Sequence, residues 1–468
     1  MKSVVMITID SLRPDHTSIY GYHRDTTPFL RSLTNKFKIY RTAYANGSHT
    51  ASSFVSSFTS TYPLMFAPSN LNTPNLWRKI LKQKITLPEI LSKYNYETIA
   101  FNTNPYLSKY QLGLTTRFNK VFELLPGITI KSEKTGNKKK AQLSFTKLRS
   151  IFRKFGNYIK MRNFSLYAFL RTKYHKYIEL SRQYLSAGEV NLYIKKYLLS
   201  GNFNWKKKFI WIHYMDTHVP YVPPEKYLRL YNKKLSIYES PVINHYFYLK
   251  YILGIKTIKW TDETELIKRT IDFYDASIRY LDDQLKELFK VFEDSGMPDD
   301  TIIIIFSDHG DEHLEHGNYT HGYSLYEEVV KILFMMYDGN KAGFFNERVQ
   351  LLDLVPHILS LLGIKKPRQM MGCKLTEPEY IFMETAFKSA CKQFVILRGV
   401  IKENYKFIYN ETFNKFELYD LINDPFERND LSKYNKNLTK QFFNILNSIK
   451  IRNKRLELSI KLNKLIAR

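Results

Sequence analysis

The chain has 468 residues, 44% hydrophobic and 25% charged, which is the usage of a folded globular protein and excludes wholesale disorder. Its two cysteines, Cys373 and Cys391, exclude a disulfide scaffold and a cysteine-rich metal site. Lysine and arginine number 71 against 44 acidic residues, a net charge of +27, and the excess is local: residues 131–182 hold 15 basic side chains against two acidic, and residues 434–468 nine against one.

Val4–Ile9 is an apolar, β-branched run that ends at Asp10 and reads as a buried strand. Thr27-Pro28 opens a helix predicted over 27–37, because Thr caps well and Pro suits the first turn. A strand is predicted at 38–45. The Ser/Thr-rich stretch 48–60, with Val55 and Phe58, stops at Tyr62-Pro63. A helix follows at 87–94 and a strand at 97–101. Residues 131–199 are basic and helical in pattern and read as an insertion. A strand at 209–213 runs into Tyr214-Met215-Asp216-Thr217-His218, a long amphipathic helix covers 261–294, and Asp262 or Thr264 can cap it. The apolar run 302–306 is the clearest strand and ends in Ser307-Asp308-His309-Gly310. A strand at 329–337 and a helix at 351–362 complete an alternation that predicts an α/β fold with a mostly parallel sheet flanked by helices. After Gly372 three short strands, 394–398, 406–409 and 415–419, predict a small antiparallel sheet, and 438–466 a basic amphipathic helix. The expected division is a large α/β domain at 1–372 that carries the insertion 131–199, a small α+β unit at 373–433 and the basic helix at 434–468.

In open α/β sheets function collects at the carboxyl ends of strands. Three predicted strand ends carry metal-ligand chemistry: Asp10; Asp216 with His218; and Asp308 with His309. His321 follows shortly. Carboxylate and imidazole together suit Zn²⁺ or Mn²⁺, and oxygen-rich sets suit Mg²⁺ or Ca²⁺. Gly47-Ser48-His49-Thr50 places hydroxyls at a helix start, where backbone N–H groups favour an anion. The basic segments suit an anionic ester substrate, an anionic membrane surface or a polyanion, with no specific nucleic-acid motif. No apolar run approaches the ~20 residues that span a bilayer, and Lys2 followed by a short apolar run is not a signal peptide, so a cytoplasmic protein is expected, with a membrane-peripheral location as the alternative that the basic segments offer.

The ordered motifs resemble the sulfatase family of the alkaline phosphatase superfamily. They include Ile7-Thr8-Ile9-Asp10-Ser11-Leu12-Arg13-Pro14-Asp15, Ser56-Ser57-Phe58-Thr59-Ser60, Asn102-Thr103-Asn104-Pro105, His213-Tyr214-Met215-Asp216-Thr217-His218, Ser307-Asp308-His309-Gly310-Asp311 and Asp424-Pro425-Phe426-Glu427. The resemblance implies an alkaline-phosphatase-like fold and a divalent metal held by Asp10, Asp308, His309 and Thr50. It puts Thr50 at the nucleophile position, His218 and His321 against the substrate anion, and Asn104 in the pocket. By the same resemblance Asp216, His218 and His321 would form a second metal site, with one ion favoured and Asp216 alternatively orienting a histidine.

The chain departs from the formylglycine sulfatases at the nucleophile. Thr50-Ala51-Ser52-Ser53-Phe54 lacks their Pro and Arg, and Thr cannot become formylglycine because its β-carbon carries a methyl group. A Thr enzyme also lacks the hydrate's second hydroxyl, which would expel the bound ester by elimination. Phosphoryl groups tolerate direct displacement, so a phosphodiester or phosphonate ester is expected over a sulfate. The alternatives are a phosphoryl or phosphoglycerol-type transferase and a non-catalytic polyanion-binding protein on the same fold.

Overall fold

The computed structural model describes residues 2–64, 76–125, 184–255, 262–389 and 393–466. Most of the predicted insertion, 131–183, and Cys391 lie outside the described residues. A nine-stranded sheet carries the order β11-β2-β10-β6-β1-β5-β3-β4, with β9 pairing β2. Its strands are β1 Val4–Ile9, β2 Lys38–Tyr44, β3 Glu97–Asn102, β4 Lys120–Glu123, β5 Lys208–Tyr214, β6 Ile302–Ser307, β9 Lys331–Ile332, β10 Phe334–Tyr337 and β11 Gly343–Gln350. A two-stranded hairpin, β7 Glu312–His313 and β8 Tyr319–Thr320, stands apart. The centre is parallel: β1 pairs β5 on one side and β6 on the other. These three strands are buried along their whole length, which is why they read as unbroken apolar runs.

Helices cover both faces. On one, Val5, Ile7 and Ile9 pack with Phe273, Leu281 and Leu285 of the Glu263–Asp294 helix and with Val190 and Ile194 of the Ala187–Leu198 helix. On the other, Val4 and Met6 pack with Phe54 and Phe58 of the Thr50–Thr59 helix and with Val355 and Ile358 of Leu354–Leu361. Asp262 caps the long helix by accepting the Glu265 N–H at 3.0 Å. Among the described residues no helix is long and apolar enough to cross a membrane.

Two predicted elements differ. The 27–37 helix closes after Pro28–Ser32, because Phe37 folds inward beside Leu33 as a core residue. The 329–337 strand is broken: Glu327–Val330 is a helical turn, and β9 and β10 pair on either side of Leu333. β10 also runs antiparallel to β6 and β2, so the sheet is mixed at that edge. Beyond it, β12 Ile381–Lys388, β13 Phe394–Lys402, β14 Tyr405–Asn410 and β15 Lys415–Asp420 form the antiparallel sheet, followed by the Lys436–Ile466 helix. β12 escaped prediction.

The β7–β8 hairpin seats a buried acid. Glu312 accepts the Ser324 hydroxyl at 2.5 Å and the Asn318 amide at 3.3 Å. Burial, and after those opposing hydrogen bonds the nearby Glu328, push its carboxyl up to about 7 from an ordinary 4.5. The folded state therefore holds a proton the unfolded chain has lost, and its stability falls as pH rises from 4.5 to about 7. Glu312→Gln fixes the neutral form. Urea unfolding is expected to show the variant gaining on the parent by on the order of 3 kcal/mol at pH 8 relative to pH 5. An equal difference at both pH values would remove Glu312 as the cause.

Candidate active site

The site forms where β1, β5 and β6 end side by side. Parallel register sets Ile9 beside Ser307 and Tyr214, so Asp10, Asp308 and the 215–218 turn leave the sheet together. Opposite them stands the start of the Thr50–Thr59 helix. His49 caps it, its Nδ1 accepting the Ser52 N–H at 3.2 Å, while Ser52 Oγ accepts the His49 N–H at 3.3 Å. Thr50 is thereby the first helical residue, buried but for 7% of its surface. Two side chains here sit at left-handed backbone positions, Ser11 at φ 59° and Thr320 at φ 65°. Such strain in non-glycine residues persists where the surroundings over-determine it, and both flank candidate site residues. Gly310 has no room for a Cβ, which would overlap the Glu328 carbonyl and the Arg13 side chain.

Four donors converge on one point. His309 Nε2 lies 3.2 Å from Thr50 Oγ1, 3.4 Å from Asp308 Oδ2 and 3.7 Å from Asp10 Oδ1. Ligands at about 2.0–2.2 Å from a tetrahedral metal stand roughly 3.3–3.6 Å from one another. The remaining atoms of each group are already engaged. His309 Nδ1 donates to the Gly310 carbonyl at 3.0 Å, which leaves Nε2 as the ligand nitrogen. Asp308 Oδ1 accepts the backbone N–H of Ser11 and of His309. Asp10 Oδ2 accepts the Asn104 amide at 3.0 Å and meets His213 Nε2 at 3.3 Å.

Asp308 Oδ2 is buried and has no hydrogen-bond partner among the described residues. Burial, then the charge of Asp10, push its carboxyl well above the usual range. Burial acts the same way on Asp10, but His218, the His213 hydrogen bond and His309 outweigh it and hold that carboxyl low. Burial, then His321, depress His309 to about 3, so it is a neutral imidazole. Two close buried carboxyls, an orphaned oxygen, a neutral imidazole and a hydroxyl fit a divalent cation.

Beside this set lies His321. Its Nδ1 is 2.6 Å from Asp311 Oδ1, which also accepts the Thr320 hydroxyl at 3.0 Å, while Tyr221 donates to Asp311 Oδ2 at 2.9 Å. Burial lowers the His321 pKa, but Asp311 more than reverses this and raises it above the ordinary imidazole value. The His321 ring centroid is 4.1 Å from that of His309 and 5.3 Å from that of His218. His218 Nδ1 is 2.6 Å from the Val219 carbonyl, a donor contact that leaves Nε2 available.

The structure thus brings Asp10, Thr50, Asn104, His218, Asp308, His309 and His321 together. Asn104 spends its amide on Asp10 rather than on an open pocket. Asp216 meets a different element. Its Oδ1 accepts the Ala187 N–H at 3.1 Å and so meets the start of the Ala187–Leu198 helix. The group formed around His321 is His309, Asp311 and His321, instead of the expected Asp216, His218 and His321. Within that group Asp311 and His321 are joined by a hydrogen bond of 2.6 Å. A third cluster, His316, Glu328 and Glu427, adjoins Lys406, whose Nζ is 2.9 Å from Glu427 and 3.2 Å from Glu327.

Sequence reading missed two members, Asp311 and His213. Asp311 is the second acid of Asp308-His309-Gly310-Asp311, and its role shows only once the hairpin folds His321 back onto it. His213 is legible from register alone: it pairs with Thr8, and its Nδ1 is 2.7 Å from the Thr8 hydroxyl.

A Sulfatase family model matches residues 2–364. The arylsulfatase of Clostridium perfringens is 24% identical over 245 residues, 48% of this chain and 49% of that protein, so the chain spans about half the length of that relative. Among solved structures, a protein bound to its substrate D-glucosamine-2-N,6-O-disulfate superposes with a TM-score of 0.68 at 15% identity, covering 97% of this chain and 98% of that one. The phosphonate monoester hydrolase of Agrobacterium radiobacter gives 0.63 at 14% identity, covering 97% and 96%. These likenesses establish the same fold, and with the family match running from before Asp10 to past His321, the chain belongs to the sulfatase family.

Proposed function

We propose that the chain is a metal-dependent hydrolase of anionic esters, with Thr50 as nucleophile and a phosphodiester or phosphonate ester preferred over a sulfate. The observation that carries this reading is the Thr50 hydroxyl at a helix start, 3.2 Å from His309 Nε2, the same nitrogen that lies 3.4 Å from Asp308 Oδ2 and 3.7 Å from Asp10 Oδ1. Asp10, Asp308, His309 and Thr50 would hold one divalent ion. When bound, that ion supplies Lewis acidity to the hydroxyl and to the ester oxygens. The chain's own residues do the rest. The helix start presents N–H groups to the anion, and His321, whose pKa Asp311 raises, faces the same charge. His218 and His321 are the groups within reach to give a proton to the departing ester oxygen, and Thr50 Oγ forms the new bond to phosphorus. Water then displaces Thr50, a step that phosphorus tolerates better than sulfur. The fold accommodates both chemistries elsewhere, since one neighbour is a phosphonate monoester hydrolase and another binds a sulfated glucosamine. We assign residues 1–372 to this activity.

The test is turnover of aryl sulfate, phosphate monoester, phosphodiester and phosphonate monoester after chelation, with Mn²⁺, Zn²⁺, Mg²⁺ or Ca²⁺ restored one at a time. The diester or the phosphonate is expected to be fastest, with no turnover before metal is restored. A faster sulfate would overturn the phosphorus preference. Silence on every ester with metal bound would favour transfer to an acceptor hydroxyl.

A further inference from the structure

The C-terminal helix Lys436–Ile466 changes its surroundings along its length. In its first half Phe442, Leu446 and Ile449 are buried against Phe382, Val400 and Phe407 of the small sheet. At 3.6 residues per turn, Ile451, Lys454, Arg455 and Leu458 share the face turned away from those three. Ile451 is 55% exposed and Leu458 56%, and both cations between them are exposed. An apolar pair interleaved with cations, on a 434–468 segment with nine basic residues and one acidic, has the pattern of a helix that lies in a charged interface.

We propose that this face docks the protein on an anionic lipid bilayer, Ile451 and Leu458 entering the headgroup boundary while Lys454 and Arg455 meet lipid phosphates. Lysine and arginine suit that position because their apolar stems lie along the buried boundary with the charge in water. A second copy of the chain would set these cations against each other. A soluble polyanion would use the charges but give no role to two exposed aliphatic side chains.

The experiment is co-sedimentation of the full chain with vesicles of phosphatidylglycerol in phosphatidylcholine and of phosphatidylcholine alone. The parent is expected to bind the anionic vesicles at least about tenfold more tightly. Ile451→Glu with Leu458→Glu, and separately Lys454→Glu with Arg455→Glu, should each weaken that binding by about tenfold or more, with the melting temperature of the exposed-site variants unchanged. Equal binding to both vesicles overturns the proposal. So does full retention by the Ile451→Glu, Leu458→Glu variant, which would point to a charge-only polyanion surface. A concentration-dependent dimer of the parent that this variant abolishes would assign the face to a second copy, and would overturn it also.

Discussion

Thr50→Ala is expected to lower turnover of the preferred ester by on the order of a thousandfold or more, about 4 kcal/mol in the barrier, because it removes the atom that attacks. Thr50→Ser keeps the hydroxyl and should stay within about tenfold. The contrast is diagnostic because stability hardly changes. The helix is capped by His49 and Ser52, not by Thr50, and Ala is a good residue at the first helical position. The Ala variant should therefore melt within a few degrees of the parent while losing its activity. Its metal affinity should fall less than its turnover, since Asp10, Asp308 and His309 remain. An Ala variant that keeps more than a tenth of parental turnover would assign the attack to another group. Ser52 and Ser53 are the nearest other hydroxyls on that helix, but they are turned to the His49 and Gly47 carbonyls.

What could be read before folding follows from how local each signal is. Strands β1, β5 and β6 are buried on both faces, so their apolar runs, and the Asp10, Asp216 and Asp308 that end them, stand out in the chain. The Glu263–Asp294 helix shows itself through its periodicity and its Asp262 cap. The 329–337 stretch misleads because its apolar composition hides the end of a helical turn at Val330 and a one-residue register shift against β2 at Leu333, between β9 and β10. β11 is equally hidden: its GFFNERVQ sequence is half exposed at a sheet edge and lacks an apolar run. At the site, residues that act at strand ends were legible by type. Partnerships across the fold were not. Asp216 beside His218 in sequence looks like a ligand pair, yet its carboxyl turns to the Ala187 N–H, at the end of a segment with no visible sequence link to it. Asp311 instead pairs with a histidine ten residues on, across a hairpin whose strands are two residues each.

Removing Asp308 is expected to move stability in opposite directions with and without metal. In the metal-free protein Asp308 and Asp10 crowd one another in a buried setting, and Asp308 Oδ2 has no hydrogen-bond partner among the described residues. Asp308→Asn relieves that charge. After chelation the variant should unfold at higher denaturant than the parent, by about 1–3 kcal/mol. Metal reverses the order: at one hundred times its dissociation constant a ligand adds about 2.7 kcal/mol to the parent, and little to the variant, which has lost a ligand oxygen. The sign with pH follows from the same crowding. Burial and Asp10 raise the Asp308 carboxyl, so the metal-free folded state keeps a proton that the unfolded chain releases, and its stability falls as pH climbs past the ordinary carboxylate range. Binding must expel that proton, so metal affinity should rise with pH. His309 does not compete, because at about 3 its own titration lies below this window. Calorimetry in buffers of different ionisation enthalpy should therefore find about one proton released per metal ion at mildly acidic pH. Proton release that persists in Asp308→Asn would move the titration to another ligand, and an equal metal response in parent and variant would place the ion elsewhere.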